Sequence, residues 1–276
     1  MKTILLFFSI SVILYGGSAL CYFLHFFKKQ ERFLRPAFFL AIAGFAFHTI
    51  CLSFYWSRLS QLSFSTFEVI NDAAWSGICV FLVASVFSKS LRPAGFLITL
   101  FTMLTVAWAA VSNKDIGPTP PSFETAWFFV HVVTTAFAYG LMLLAASNGL
   151  LYILKTKYAG DAFYDKLPDL KKLDDSNYVF IGIGFLMLTG MLISGALWTE
   201  KVYGGYWNWD PLEVQSLITW LLYAIWLHLR ITLGWRGKRL AWYALLALPV
   251  MMIAIWGMPF APEMFHRGFR GHQYIK

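Results

Sequence analysis

Apolar runs of about 20 residues recur along this chain from one end to the other. Each run is long enough to cross the hydrocarbon core of a bilayer as a helix. The runs are continuously apolar instead of alternating with polar residues, which favours membrane helices over the strands of a barrel. The sequence therefore predicts an all-α integral membrane protein with about eight transmembrane helices. The predicted spans lie near 3–27, 36–56, 68–88, 94–112, 127–154, 179–198, 214–233 and 240–260.

The composition supports a single domain built around these spans. The chain is 59% hydrophobic and 13% charged, whereas soluble domains carry roughly twice that charged fraction. No polar stretch is long enough for a second folded unit, so 1–276 is predicted to be one polytopic membrane domain. The run 3–27 is longer than a signal-peptide core and lacks a small-residue cleavage pattern, so it is predicted to remain as the first span. The three cysteines lie singly in apolar runs and predict no disulfide or metal site.

The distribution of basic residues predicts the orientation. Of the 22 Lys and Arg residues, 15 lie in the connections that follow spans 1, 3, 5 and 7 or end those spans. By the positive-inside rule these connections are cytoplasmic, which places both termini on the extracytoplasmic side. The basic excess is thereby explained by membrane orientation, and no nucleic-acid partner is expected.

The segment 199–213, between spans 6 and 7, is predicted to be an external loop rich in Gly, Tyr and Trp. Part of it has an ordinary structural explanation: Asp210 suits a helix N-cap, Pro211 the first helical position, and Glu213 a capping box. Trp and Tyr also gather at bilayer interfaces without binding a ligand.

The crowding of aromatic residues in this loop favours a ligand-binding role. Two glycines that free the backbone precede a cluster of exposed rings, and Trp198 ends the preceding span. Such a surface suits a flat apolar macrocycle, since aromatic faces offer large contact areas and offset stacking. The predicted surface consists of Gly204, Gly205, Tyr206, Trp207 and Trp209, with Asp210 securing the loop to the helix.

Two histidines are predicted to lie at the level of this loop. His131 is one turn inside the outer end of span 5, and His266 follows the outer end of span 8. Imidazoles on either side of an aromatic platform are the arrangement that ligates haem iron axially. Two more, His48 in span 2 and His228 in span 7, are predicted to lie within the membrane, where an ionisable group suggests a function. Their predicted depths differ, so a shared ligand, separate sites and a relay all remain open.

The run G-G-Y-W-N-W-D-P-L-E, with S-L-I-T-W and L-H-L-R after it, resembles the tryptophan-rich (WWD) signature of cytochrome c assembly proteins. The strongest likeness is to the CcsA (ResC) family of the system II pathway. It extends to F-H-T in span 2, W-F-F-V-H in span 5 and the histidine after span 8. The resemblance implies that His131 and His266 are external axial ligands and that His48 and His228 form an intramembrane pair. Where the family has L-H-S-Y, this chain has Phe265, His266, Arg267 and Gly268, and His272 is the alternative ligand.

The same resemblance implies a function. Haem b is expected as a transient, non-covalently bound cargo, presented at the extracytoplasmic face to the CxxCH thiols of an apocytochrome c. No side chain is predicted to be catalytic in its own right. The chain is expected to be a subunit of a cytochrome c haem lyase (synthase) with a CcsB/ResB-like membrane partner, in a plasma (inner) membrane, or in a thylakoid membrane if plastid-type. Three alternatives remain: a haem exporter without ligation activity, a HemX-like regulatory haem protein, and an electron-transfer subunit.

Overall fold

A computed structural model describes residues 2–58, 66–111 and 125–257. Within these ranges the regular secondary structure is helical, and no strand occurs. Short 3-10 turns at Glu31–Phe33, Lys89–Ala94 and Tyr164–Lys166 join some of the longer helices. The α-helices of the described ranges are α1 (Lys2–Phe27), α2 (Leu34–Arg58), α3 (Thr66–Phe87), α4 (Gly95–Val111), α5 (Ala126–Lys157), α6 (Leu170–Tyr203), α7 (Pro211–Ile231) and α8 (Lys238–Gly257).

Seven segments are long and apolar enough to cross a membrane, one for each of the helices α1 to α7, and the segment of α4 includes the 3-10 turn before it. The prediction of an all-α, multi-pass membrane protein is therefore confirmed. The helix α8 has 20 residues and packs against α5 and α7, but it is not one of these seven. An eighth span, and with it the extracytoplasmic placement of both termini, stays a prediction.

The helix α5 is the centre of the bundle, because it packs against α6, α8, α3 and α4. Small residues on α5 allow the close approach that helix packing in a membrane requires. A methyl group added at Gly149 would lie 2.8 Å from the Ala241 carbonyl oxygen of α8, and one at Gly140 would lie 3.0 Å from the Ser76 carbonyl oxygen of α3. The position of α5 is thus determined on two sides by backbone contacts, which hold its histidine in a fixed place.

A buried ion pair ties α6 to the end of α7. Arg230 Nη1 donates to Asp174 Oδ2 at 2.6 Å, and the other carboxylate oxygen accepts from the backbone N–H of Gly237 at 2.8 Å. This bonding requires α6 to begin well before its predicted span at 179–198. Hydropathy detects only the apolar part of a helix, whereas α6 continues through the charged residues from Leu170 onwards.

Candidate functional site

The Trp segment, defined here as residues 204–210, lies between the end of α6 and the start of α7. Gly204 ends α6 with φ +74°, a left-handed conformation that glycine adopts without a Cβ penalty. Asp210 caps α7, and its side chain accepts from the backbone N–H of Leu212 at 2.7 Å. The non-helical part of the predicted loop 199–213 is therefore short, because 199–203 continue α6 and 211–213 begin α7.

The carboxylate of Glu213 fastens the Trp segment to the first turn of α7. Its Oε2 accepts from the backbone N–H of Asn208 at 2.8 Å and from that of Asp210 at 3.2 Å. The second bond completes the capping box with Asp210 that the sequence suggested. The first reaches two residues further, so that a single carboxylate holds both sides of Trp209.

The aromatic shelf consists of Tyr206, Trp207 and Trp209. The rings of Trp207 and Trp209 meet edge to face, with centroids 6.0 Å apart and planes at 87°. Tyr206 is 61% exposed and Trp209 is 74% exposed, although Trp209 has a left-handed backbone with φ +57°. That conformation costs a non-glycine residue about 1–2 kcal/mol. Neither burial nor an easy backbone conformation explains a tryptophan here, and such an outlier is typical of a functional site.

A narrow cavity of about 40 Å³ connects this shelf with α5 and α6. Its walls come from three helices and from the Trp segment, so residues far apart in the sequence meet here. Among them are His131, Gly195, Trp198, Tyr206, Trp207 and Glu213. The structure thus brings His131 and two members of the aromatic shelf to one site.

The imidazole of His131 is half-buried and held by α6. Its Nδ1 lies 2.9 Å from the backbone carbonyl oxygen of Met191. A carbonyl oxygen can only accept, so Nδ1 carries the hydrogen and Nε2 keeps its lone pair. No hydrogen bond to Nε2 occurs within the described ranges. A neutral imidazole with its outer nitrogen free is the form that ligates a metal.

Trp198 forms the wall behind this histidine. It is buried, its ring lies 6.5 Å from that of His131 with planes 25° apart, and the centroid of the Phe128 ring lies 5.2 Å from that of Trp198. Trp198 therefore supports the imidazole more than it offers a free face.

Gly205, another predicted site residue, is half-buried, and a methyl group added there would meet only Asn208 Oδ1, at 3.6 Å. The left-handed turn belongs to Gly204.

The two histidines predicted to lie within the membrane occupy different surroundings. His48 is fully buried, with Nδ1 3.4 Å from the hydroxyl of Tyr15 on α1 and with the side chain of Asn71 on α3 close to its ring. His228 is exposed on α7, which packs on α6 and α8. In the described part of the chain no hydrogen bond or ring contact joins the two. His266 and His272 lie outside the described residues.

Sequence reasoning did not identify the contributions of Met191 and Gly195. Met191 acts through its backbone carbonyl, which no residue type encodes, and it is 60 positions from His131. Gly195 acts by lacking a side chain, since a methyl group there would lie 2.8 Å from His131 Nδ1. The only feature of the sequence that could have indicated this close approach is the presence of a glycine in an otherwise apolar span.

Comparison with known proteins gives consistent matches. The family model described as "Cytochrome C assembly protein" matches residues 66–266. The protein named "Cytochrome c biogenesis protein CcsA" from Chlamydomonas reinhardtii is 29% identical over 220 residues, which cover 76% of this chain and 62% of that protein. The CcsA of Guillardia theta is 28% identical over 242 residues, covering 79% and 80% of the two chains.

A solved structure with the same fold is that of "Cytochrome c Heme Lyase CcmF". It superimposes with a TM-score of 0.65 at 18% identity, over 91% of this chain and 46% of the CcmF chain. This chain thus spans less than half of CcmF and a little under two thirds of the Chlamydomonas protein. At this identity the likeness to CcmF concerns the fold.

Proposed function

This chain belongs to the cytochrome c assembly protein family, as its CcsA-like motifs predicted, and from that membership we propose that it binds haem on the aromatic shelf and presents it for covalent attachment to apocytochrome c. The site would face the extracytoplasmic side of a plasma or thylakoid membrane. The haem is cargo: haem b arrives, is held without a covalent bond and leaves attached to another protein.

One observation supports this proposal above the others. The free Nε2 of His131, the exposed ring of Tyr206 and the half-buried ring of Trp207 border the same cavity. An imidazole supplies an axial bond to iron, and aromatic faces supply the contact area that a porphyrin requires. Either feature alone would fit an interfacial aromatic belt, and their meeting from distant parts of the sequence favours a haem site.

The size of the cavity favours one placement of the proposed macrocycle over another. A pocket that encloses a ligand of this size has a volume of roughly 300–1,000 Å³, far above the 40 Å³ found between His131 and the shelf. We therefore expect the porphyrin to lie across the mouth of the cavity, with its iron within reach of His131 Nε2 and one edge over the exposed rings of Tyr206 and Trp209. This leaves the opposite edge accessible to an incoming protein.

His266 is the proposed second axial ligand. It follows the end of α8 at Gly257 by nine residues, a distance that an extended chain spans over as much as about 30 Å. Trp256 anchors that end of α8 to α4, because its ring stacks on Phe101 at 5.2 Å and its Nε1 donates to Thr105 at 3.3 Å. The segment that carries His266 thus starts from a fixed point.

The chemistry requires orientation more than acid–base catalysis. Each thiol of the CxxCH motif adds across a vinyl double bond of haem, which forms one C–S and one C–H bond and releases no leaving group. His131 and the shelf would hold the vinyl edge in reach of the thiols, and positioning of this kind can supply much of a rate enhancement. A CcsB/ResB-like partner would bring the apocytochrome, and the exposed face of α7 around His228 is available to a membrane partner.

Co-expression with such a partner and a reporter apocytochrome c tests the proposal in a host that lacks its own maturation proteins. We expect His131→Ala and Trp209→Ala to reduce covalent haem attachment at least tenfold. Trp242→Ala, which removes a 42%-exposed tryptophan from α8, should leave attachment unchanged. Normal attachment with both His131→Ala and Trp209→Ala would contradict the proposal.

A haem exporter is the second candidate, favoured by the fully buried His48, because an ionisable group enclosed among membrane helices suggests a function there. If haem reaches the shelf by way of His48 and His228, replacing both with alanine should leave the purified protein without haem at the shelf. Free haem should restore it. Haem bound at wild-type levels in the double variant would exclude this route. If the wild-type protein binds haem but its presence makes no difference to haem attachment to the reporter apocytochrome, the chain would be a regulatory protein.

A further inference from the structure

His131 projects from α5, but the atoms that determine its position belong to α6. Met191, Gly195 and Trp198 recur at intervals of four and three residues, so they share one face of α6. All three contact or closely approach the imidazole. We propose that the Met191 carbonyl and Gly195 form a positioning cradle for His131, which selects the nitrogen that binds iron and sets the distance of the ring from the aromatic shelf. This inference rests on the proposed function.

The carbonyl of Met191 selects the nitrogen. Because it accepts the Nδ1 hydrogen at 2.9 Å, the lone pair remains on Nε2, which points away from α6. Histidines that bind metals commonly donate their other N–H to a carbonyl or carboxylate, and this bond orients the ring and increases its basicity. In this protein the acceptor is backbone within a long helix, so its position does not depend on a rotamer.

Gly195 determines how closely the ring approaches α6. A methyl group at this position would lie 2.8 Å from Nδ1 and 3.0 Å from Cε1 of His131. A Cβ is attached rigidly to the helix and cannot move aside, so the imidazole would have to rotate or withdraw. Trp198, with its ring 6.5 Å away, limits the withdrawal on one side. The bond to Met191 would then lengthen, and both the orientation and the tautomer of His131 would be released.

The cradle and the shelf are connected by the same rigid element. From Gly195 the helix α6 runs nine residues to Gly204, where the Trp segment begins. At 1.5 Å per residue this is a rise of about 14 Å. A displacement of His131 relative to α6 is therefore also a displacement relative to Tyr206 and its neighbours, and the iron would no longer be centred over its ligand.

The test compares Gly195→Ala with Gly190→Ala in the full-length protein, titrated with haemin in detergent. Both changes add one methyl group on the α6 face toward α5, but at Gly190 the methyl group meets only the side chain of Thr134, at ordinary distances of 3.4 and 3.9 Å. Loss of such a supporting contact typically weakens metal binding about 10- to 100-fold. We expect that loss, with a shift away from the low-spin haem spectrum, for Gly195→Ala alone. Wild-type affinity and spectrum in Gly195→Ala would overturn the inference.

A double-mutant cycle separates positioning from a general effect on folding. In a His131→Gly background the ring is absent, so Gly195→Ala should cause no further loss of haem affinity or thermal stability. Added imidazole should restore a low-spin spectrum equally with and without the alanine. If Gly195→Ala accumulates poorly as a single variant, recovery in the His131→Gly background supports the cradle, and an undiminished defect there contradicts it. A wild-type protein that binds no haem would instead refute the proposed function.

Discussion

Replacing Glu213 with alanine is expected to release the aromatic shelf without unfolding the helical bundle. One carboxylate oxygen of Glu213 accepts both the Asn208 and the Asp210 backbone N–H groups, at 2.8 and 3.2 Å. Between them lies Trp209 in its left-handed conformation, at φ +57°. The backbone at Trp209 would relax toward an easier conformation once these two bonds were absent.

The size of the effect follows from these bonds. A hydrogen bond to a charged group contributes roughly 1.5–3 kcal/mol when protected from water. The bond from Asn208 is exposed, so water replaces much of it, and we take about 2 kcal/mol for both. The left-handed conformation of Trp209 opposes them by about 1–2 kcal/mol. Without the two bonds the shelf conformation is therefore disfavoured by that strain alone, and since 1.4 kcal/mol is tenfold in an equilibrium constant, haem affinity should fall about 5- to 15-fold in Glu213→Ala and by less in Glu213→Gln, which keeps one acceptor.

Haemin titration together with amide hydrogen exchange measures both halves of this reasoning. Exchange at Asn208 and Asp210 should accelerate as haem affinity falls. Glu200→Gln is the control, because the Glu200 carboxylate makes no hydrogen bond or ion pair in the described part of the chain, and it should change neither quantity. Faster exchange with unchanged affinity would refute the role of the shelf in binding. Unchanged exchange would refute the role of Glu213 in holding it.

Two further predictions concern the ion pairs. Asp174→Asn should lower the free energy of unfolding by about 3–5 kcal/mol, because it leaves the 5%-exposed Arg230 without its charged partner at 2.6 Å. The side chain of Asp175 is 51% exposed and lies 3.6 Å from Arg230, so Asp175→Asn should have little effect. Thermal unfolding of the two variants measures the difference. Lys29 lowers the pKa of Asp161, chiefly through their hydrogen bond, so this pair stabilises the fold above the unfolded pKa of about 3.9. That contribution is lost as the pH falls through the lower folded value, and Asp161→Asn should remove this acid-side dependence of the melting temperature. Identical pH profiles for the wild type and Asp161→Asn would contradict the second prediction.

Much of the fold was predictable because a membrane helix requires a run of about 20 apolar residues, which is visible in the sequence. The span expected at 127–154 corresponds to α5, Ala126–Lys157, and the helix start at Asp210 follows from its capping residues alone. Helix ends beyond the apolar part were not predictable in this way. The helix α6 extends nine residues before its expected span, where charged residues continue the helix and Asp174 meets Arg230.

The site was predictable only where side chains carry the signal. The aromatic residues and the histidine could be recognised from their residue types, and His131 does line the same cavity as Tyr206 and Trp207. The support for His131 was hidden, because a backbone carbonyl and an absent methyl group on another helix leave no pattern along one sequence. Whether a histidine within a span faces the interior of the bundle or its surface could not be predicted from the sequence either. His48 and His228 resemble each other in sequence context, yet packing encloses one and exposes the other.

The most direct test of haem ligation by His131 is the absorption spectrum of the purified, haem-loaded protein, compared with that of His131→Gly before and after imidazole is added. Ligation of iron by His131 predicts a low-spin spectrum in the wild type, its loss in His131→Gly, and its return when imidazole occupies the space left by the ring. A low-spin spectrum that persists in His131→Gly without imidazole would show that the iron is held elsewhere.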